Sequence, residues 1–179
     1  MIYFLDTEFT NLPWISRPQL ISIGLVKENG ESYYACLNDF SLERASDFVR
    51  EKVLPSLECV AVRKSSHDVA QEILNFVNEY SPTKIYCVFP TENDLIRMSV
   101  PKDIQGILTK YEDLDFQLFR NLFANNYPEK WVSIASSLNP IVQILKDNKR
   151  LPKNNDAHNS LSDALWNRRV WIKAGDIKK

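Results

Sequence analysis

The chain has 179 residues, enough for one domain with a sizeable core. Its 44% hydrophobic and 25% charged residues exclude a disordered or fibrous composition, and no apolar run reaches the roughly 18 residues needed to span a membrane. The formal net charge of −1 argues against tight, non-specific binding to a duplex. It does not argue against an enzyme that holds only a strand end, where few phosphates need neutralising and bound metal ions supply positive charge.

Taken in chain order, residues 2–8 read as a buried strand. The opening segment has no basic n-region and no small-residue cleavage site, and meets acid at Asp6 and Glu8, so it is not read as a signal peptide. Residues 19–27 form a second strand rich in Ile, Leu and Val. Glu28-Asn29-Gly30-Glu31 carries an Asn-Gly hairpin signal, and a third strand follows at about 31–37. Ser41 is placed to cap a helix running to about Arg50, with Pro55 marking a break. Val69, Ile73, Phe76 and Val77 then recur at helical spacing within 66–80. A short apolar strand is expected at 84–89, a helix after Thr91, and a weaker strand at 113–119. Residues 133–146 read as helical despite Pro140. A polar stretch, Asp147 to Asn155, leads to a last helix at about 160–173. Three antiparallel strands followed by alternating helices and strands describe a single α/β domain, 1–179, with a mixed sheet flanked by helices. Cys36, Cys59 and Cys87 are widely spaced with no C-x-x-C pair, and read as buried free thiols of a cytoplasmic protein.

Asp6 and Glu8 lie two residues apart on a strand, hence on one face with Cα atoms roughly 6.6 Å apart. Ile2 and Phe4 share that face. Two carboxylates at the end of a buried strand repel each other and lose hydration, at a cost of several kcal/mol each if uncompensated. A divalent cation is the simplest compensation, since carboxylate oxygens suit Mg²⁺ or Mn²⁺. The plainer alternative is a strand end fraying into solvent with both acids hydrated.

His158 and Asp163 are five residues apart, and five helical steps rotate about 140° net, so they cannot share a helix face. They converge only if His158 lies on the loop before the helix and Asp163 in its first turn, with Ser160 or Asn159 as cap. Alternatively Ser160-x-x-Asp163 is a capping box and His158 a surface residue. Asp94 follows the strand at 84–89 by a short loop, where an edge beside the first strand would deliver it to Asp6 and Glu8; Glu92, Asp113 and Asp115 compete for that place. Trp14, just beyond Glu8, reads either as a base-stacking residue or as a lid on the core. Lys149, Arg150 and Lys153 are candidate phosphate contacts or a solvated basic loop.

Together D-x-E at 6–8, Asp94, and H-x4-D at 158–163 resemble the DEDDh exonucleases, in particular the ribonuclease AS type of 3'-5' exoribonuclease. The segments IYFLDTEF, LISIGLV, ENGESYYA and ERASDFVREKVLP extend the resemblance over roughly residues 2–57, and HNSLSDA returns it near the end. It implies a ribonuclease H-like fold, a homodimer, and two Mg²⁺ or Mn²⁺ ions held by Asp6, Glu8, Asp94 and Asp163. His158 would be the general base, and Thr7, Trp14, Lys149, Arg150 and Lys153 would face the substrate. The implied reaction is hydrolysis of single-stranded RNA from its 3' end. A 3'-5' exonuclease on single-stranded DNA, or a non-catalytic nucleic-acid-binding protein of the same fold, would use much of the same sequence.

Overall fold

A computed structural model describes residues 1–13, 15–57, 62–77, 84–88, 114–128, 131 and 135–176. The sheet contains β1 (Ile2–Phe9), β2 (Leu20–Lys27), β3 (Ser32–Leu37), β4 (Arg63–Lys64), β5 (Lys84–Cys87) and β6 (Ala135–Ser137). Its order is β4-β3-β2-β1-β5-β6, with β1, β2 and β3 antiparallel and the remaining pairs parallel. Helices α1 (Ser66–Val77), α2 (Leu114–Leu122), α3 (Asn139–Asp147) and α4 (Ser160–Gly175) flank it. Among the described residues no helix is long and apolar enough to cross a membrane.

The sheet's central strands are buried on both faces, with apolar side chains on both sides of Ile2–Leu5 in β1 and of Leu20–Val26 in β2. Tyr3, Leu5, Ile23 and Leu25 pack against Val69 and Ile73 of α1 and Phe116 and Phe119 of α2. On the other face Phe4 and Val26 meet Val142 and Leu145 of α3 and Ala164 and Val170 of α4. At the β2–β3 turn Gly30 has φ +102°, a left-handed conformation that favours glycine. Arg168 of α4 donates to the Glu28 carbonyl at 2.9 Å and fastens that turn to the helix.

Several expectations are corrected. Residues 114–122 form a helix, not a strand: Phe116, Phe119 and Phe123 recur at helical spacing and are buried on one side. The expected helix at 133–146 is a strand, Ala135–Ser137, followed by Asn139–Asp147. Pro140 fits because it sits in that helix's first turn, where the missing N–H costs nothing. Ser41 makes no side-chain cap; a short helical turn at Leu42–Arg44 precedes a separate one at Val49–Val53. Cys36 is disulfide-bonded, whereas Cys87 is a buried free thiol. Cys59, and the helix expected after Thr91, lie outside the described residues.

Candidate active site at the end of the first strand

The site begins where β1 outruns β5. β5 pairs with β1 only from Ile2↔Lys84 to Phe4↔Tyr86. Beyond Phe4 no strand among the described residues pairs with the edge of β1 facing β5, and buried backbone groups without partners are costly. Two side chains take their place. Asn167 of α4 donates to the Leu5 carbonyl at 3.0 Å. Asp115, in the first turn of α2, accepts from the Thr7 N–H at 3.2 Å and from the Thr7 hydroxyl at 2.5 Å.

Helix α4 is seated on the opposite face by direct backbone contact. Gly24 is the register partner of Asp6, and a Cβ added there would lie 2.1 Å from the Ser160 carbonyl oxygen. Glycine is therefore required for the helix to come so close. Ser22, the partner of Glu8, is joined to Ser160 by a buried hydroxyl–hydroxyl hydrogen bond of 2.9 Å. Asn159 caps the helix, its side chain accepting from the Leu161 and Ser162 N–H groups at 3.2 Å each.

This seating delivers Asp163 to the acids of β1. Asp6, Glu8 and Asp163 each offer a carboxylate oxygen within 4.8 Å of the others. Burial, and then the charges of Asp163 and Asp115, push the Glu8 carboxyl up to about 8. Burial likewise raises Asp115 to about 6, against the lowering effect of its two Thr7 hydrogen bonds, with the Asp163 charge adding to the rise. Burial raises Asp163 too, opposed by hydrogen bonds from the Asn154 amide and the His158 N–H and by the nearby imidazole. Clustered hard oxygen donors that resist ionisation together are a fitting set for a divalent cation such as Mg²⁺ or Mn²⁺.

His158 is on the loop before α4, with φ +71°, uncommon for a residue with a side chain. Its N–H donates to Asp163 at 3.0 Å, and its carbonyl accepts from the Ser56 hydroxyl at 2.6 Å. The imidazole is not within the close carboxylate group. It is exposed and stands edge-on to the ring of Phe48, at a centroid distance of 5.0 Å. Phe48 is itself 53% exposed, an unusual state for a large aromatic ring and a signal that sequence reasoning missed.

Of the basic residues, Lys149 and Arg150 occupy an exposed turn after α3, with Lys149 at φ +54°. Lys153 is exposed beside Asn154, which bonds Asp163. Asp94 and Trp14 lie outside the described residues. Asp115, one of the residues competing with Asp94 for that place, borders the carboxylate group from α2. Its local sequence reads as a strand end, so the helix that aims it was not visible.

A mixed sheet with an antiparallel three-strand start, parallel additions and flanking helices is the architecture of nucleases of the ribonuclease H-like type. A solved full-length 3'-exonuclease superposes over 99% of this chain and 82% of its own, with a TM-score of 0.54 at 15% identity. Cell-death related nuclease 4 superposes over 98% of this chain and 64% of its own, with a TM-score of 0.55 at 12% identity. At the level of sequence the chain is similar to 3'-5' exoribonucleases from two strains of Mycobacterium tuberculosis, 49% identical over 57 residues. That match spans 32% of this chain and only a third, 33%, of the length of those curated relatives. No family model matches.

Proposed function

We propose that this protein is a metal-dependent 3'-5' exoribonuclease that releases nucleoside monophosphates from the 3' end of single-stranded RNA. The observation that carries the reading is the meeting of Asp6, Glu8 and Asp163 within 4.8 Å at a strand end. The nuclease-like fold and the curated relatives' 3'-5' exoribonuclease name support it.

In this reading Asp6, Glu8 and Asp163 hold a pair of Mg²⁺ or Mn²⁺ ions, with Asp94 as the fourth acid. Bound divalent ions polarise the scissile phosphate and lower the pKa of water. The chain's own residues do the rest. Asp163 is aimed by the Asn154 amide and the His158 N–H, so its oxygens stay directed at β1. Thr7, between the two acids, is fastened to Asp115 through both its N–H and its hydroxyl. The exposed His158 imidazole accepts the proton of the attacking water. Its left-handed backbone is held at both the N–H, which donates to Asp163, and the carbonyl, which keeps the loop residue beside the acid. The half-exposed ring of Phe48 offers a face for stacking the terminal base, the role this reading also gives to Trp14. Lys149, Arg150 and Lys153 contact phosphates. A single domain over 1–179, a homodimer and a cytoplasmic setting belong to the same reading.

The test is digestion of 5'-labelled RNA and matched DNA with Mg²⁺ or Mn²⁺. RNA is expected to shorten progressively from the 3' end, and Asp6→Asn to lose at least about 10³-fold in kcat/KM. His158→Ala is expected to lower kcat about 10²–10⁴-fold while leaving Mn²⁺ affinity intact. Wild-type turnover in Asp6→Asn, or no metal-dependent digestion by the wild type, overturns the reading. Faster digestion of DNA would transfer it to a deoxyribonuclease.

A further inference from the structure

A second polar feature starts one residue beyond Glu8. A cavity of about 280 Å³ is lined by Arg17, Gln19, Asp39, Arg44, Leu118 and Asn121, among others. Its floor is the start of β2: Leu20 is the register partner of Phe9, and the Gln19 carbonyl accepts from the Thr10 N–H at 2.9 Å. The loop carrying Arg44 is tied to the same strand end. Ser41 N–H donates to Gln19 Oε1 at 2.9 Å, and Ser46 N–H donates to the Thr10 carbonyl at 2.9 Å. The far wall is α2, where Leu118 and Asn121 follow Asp115 by one and two turns, about 5 and 9 Å along the axis.

The two arginines that line this cavity, Arg17 and Arg44, are exposed residues. Among the described residues neither Arg17 nor Arg44 is ion-paired. The nearby carboxylate is committed elsewhere: Asp39 accepts from the Ser66 N–H at 2.8 Å and closes the N-terminus of α1. Two arginines that carry no ion pair among the described residues therefore line a hollow near the lower end of the size range of ligand pockets. Guanidinium groups match phosphate oxygens in two-pronged geometry. The side chains of Gln19 and Asn121 add amide groups, and buried Leu118 adds an apolar patch.

We propose that this cavity binds a phosphodiester unit of the RNA strand upstream of the scissile bond, so that Arg17 and Arg44 grip the substrate while the acids act on its end. The proposal rests on the exoribonuclease reading and adds to it a subsite that favours longer strands. Binding of a labelled RNA hexamer in EDTA, across a salt series, tests it together with kcat/KM for hexamer and dimer in Mn²⁺. In Arg17→Ala/Arg44→Ala the hexamer is expected to bind at least about tenfold more weakly. The slope of log K against log salt should become shallower by about 1.4, the value for two lost single-strand phosphate contacts. The hexamer-over-dimer preference should collapse. Arg17→Lys/Arg44→Lys should restore the slope but only part of the affinity, because an ammonium lacks the fork. If the alanine variant keeps wild-type affinity, slope and length preference while the wild type digests RNA, the cavity assignment fails alone. If the wild type digests no RNA with either metal, the exoribonuclease reading fails as well.

Discussion

The two halves of β1 are built for different ends from one continuous strand. In Ile2–Leu5, Tyr3, Phe4 and Leu5 are fully buried, and the pairing with β2 on one side is joined by β5 at Ile2–Phe4 on the other. In Asp6–Phe9, among the described residues, only β2 continues; on the edge facing β5, Asn167 bonds the Leu5 carbonyl at the junction and Asp115 bonds Thr7 beyond it. The first half stabilises; the second gathers acids that repel each other and resist ionising together. The difference teaches that the reactive half keeps its ladder to β2 on one side and is held on the other by side chains of α4 and α2. Substitutions in the two halves should therefore separate stability from chemistry.

The sharpest break is expected at Gly24, which touches neither substrate nor cation. Gly24→Ala sets a methyl group against the Ser160 carbonyl, so α4 must retreat and take Asp163 with it. A displacement of about 1 Å in a reacting constellation costs on the order of 10²-fold in rate. Overpacking adds about 1–3 kcal/mol of destabilisation. Leu5→Ala, in the other half, should destabilise by about 2–5 kcal/mol, as large buried truncations do, yet leave kcat of the folded enzyme near wild type. Thermal melts paired with kcat for the two variants decide it. Equal kcat losses would erase the distinction between the halves.

A second test uses pH and metal. The Glu8 carboxyl sits near 8 in the folded chain and near 4.5 when free of its surroundings. Between those values the folded state holds a proton that the unfolded state has released, so the metal-free protein should lose stability as pH rises from about 4.5 to about 8. Asp115 contributes in the same sense over the lower window, from 3.8 to about 6. A fall of several degrees in Tm is the expected scale, at roughly 2–4 °C per kcal/mol for a chain of this length. Adding Mn²⁺ should reverse the trend, since the cation favours the ionised acids. Glu8→Gln should flatten the metal-free curve. A metal-free Tm that is level from pH 5 to 8, and indifferent to Glu8→Gln, would contradict the buried-acid account.

How much of this was legible in the sequence follows from which forces are local. The alternation in IYFLDTEF, the apolar run of β2, the Asn-Gly turn and the spacing of Val69, Ile73 and Val77 are local patterns, and each yields its element. The argument that His158 must precede a helix with Asp163 in its first turn is also local geometry, and the backbone adopts that arrangement with Asn159 as the cap. What stayed hidden is long-range. Nothing near Gly24 announces that a helix more than a hundred residues later will rest on it. Phe116 and Phe119 favour strands by type, and only their shared burial against Tyr3 and Leu5 shows them as one face of a helix. Asp115 was misjudged with them, because its place depends on where β5 stops pairing.

The mildest expected effect separates the two fastenings of α4. Gly24 supplies close approach, whereas Ser22 and Ser160 supply one buried hydrogen bond. Ser22→Ala removes a partner and strands the Ser160 hydroxyl, at about 1–3 kcal/mol. The close contact at Gly24 survives, so Mn²⁺ affinity should shift less than in Gly24→Ala. Ser22→Ala with Ser160→Ala should then be less harmful than the sum of the two single changes, because no unpaired hydroxyl remains. A double-mutant cycle on Tm measures that coupling. Strict additivity would mean that the pair contributes nothing as a pair, leaving the glycine contact as the feature that sets α4 over the acids.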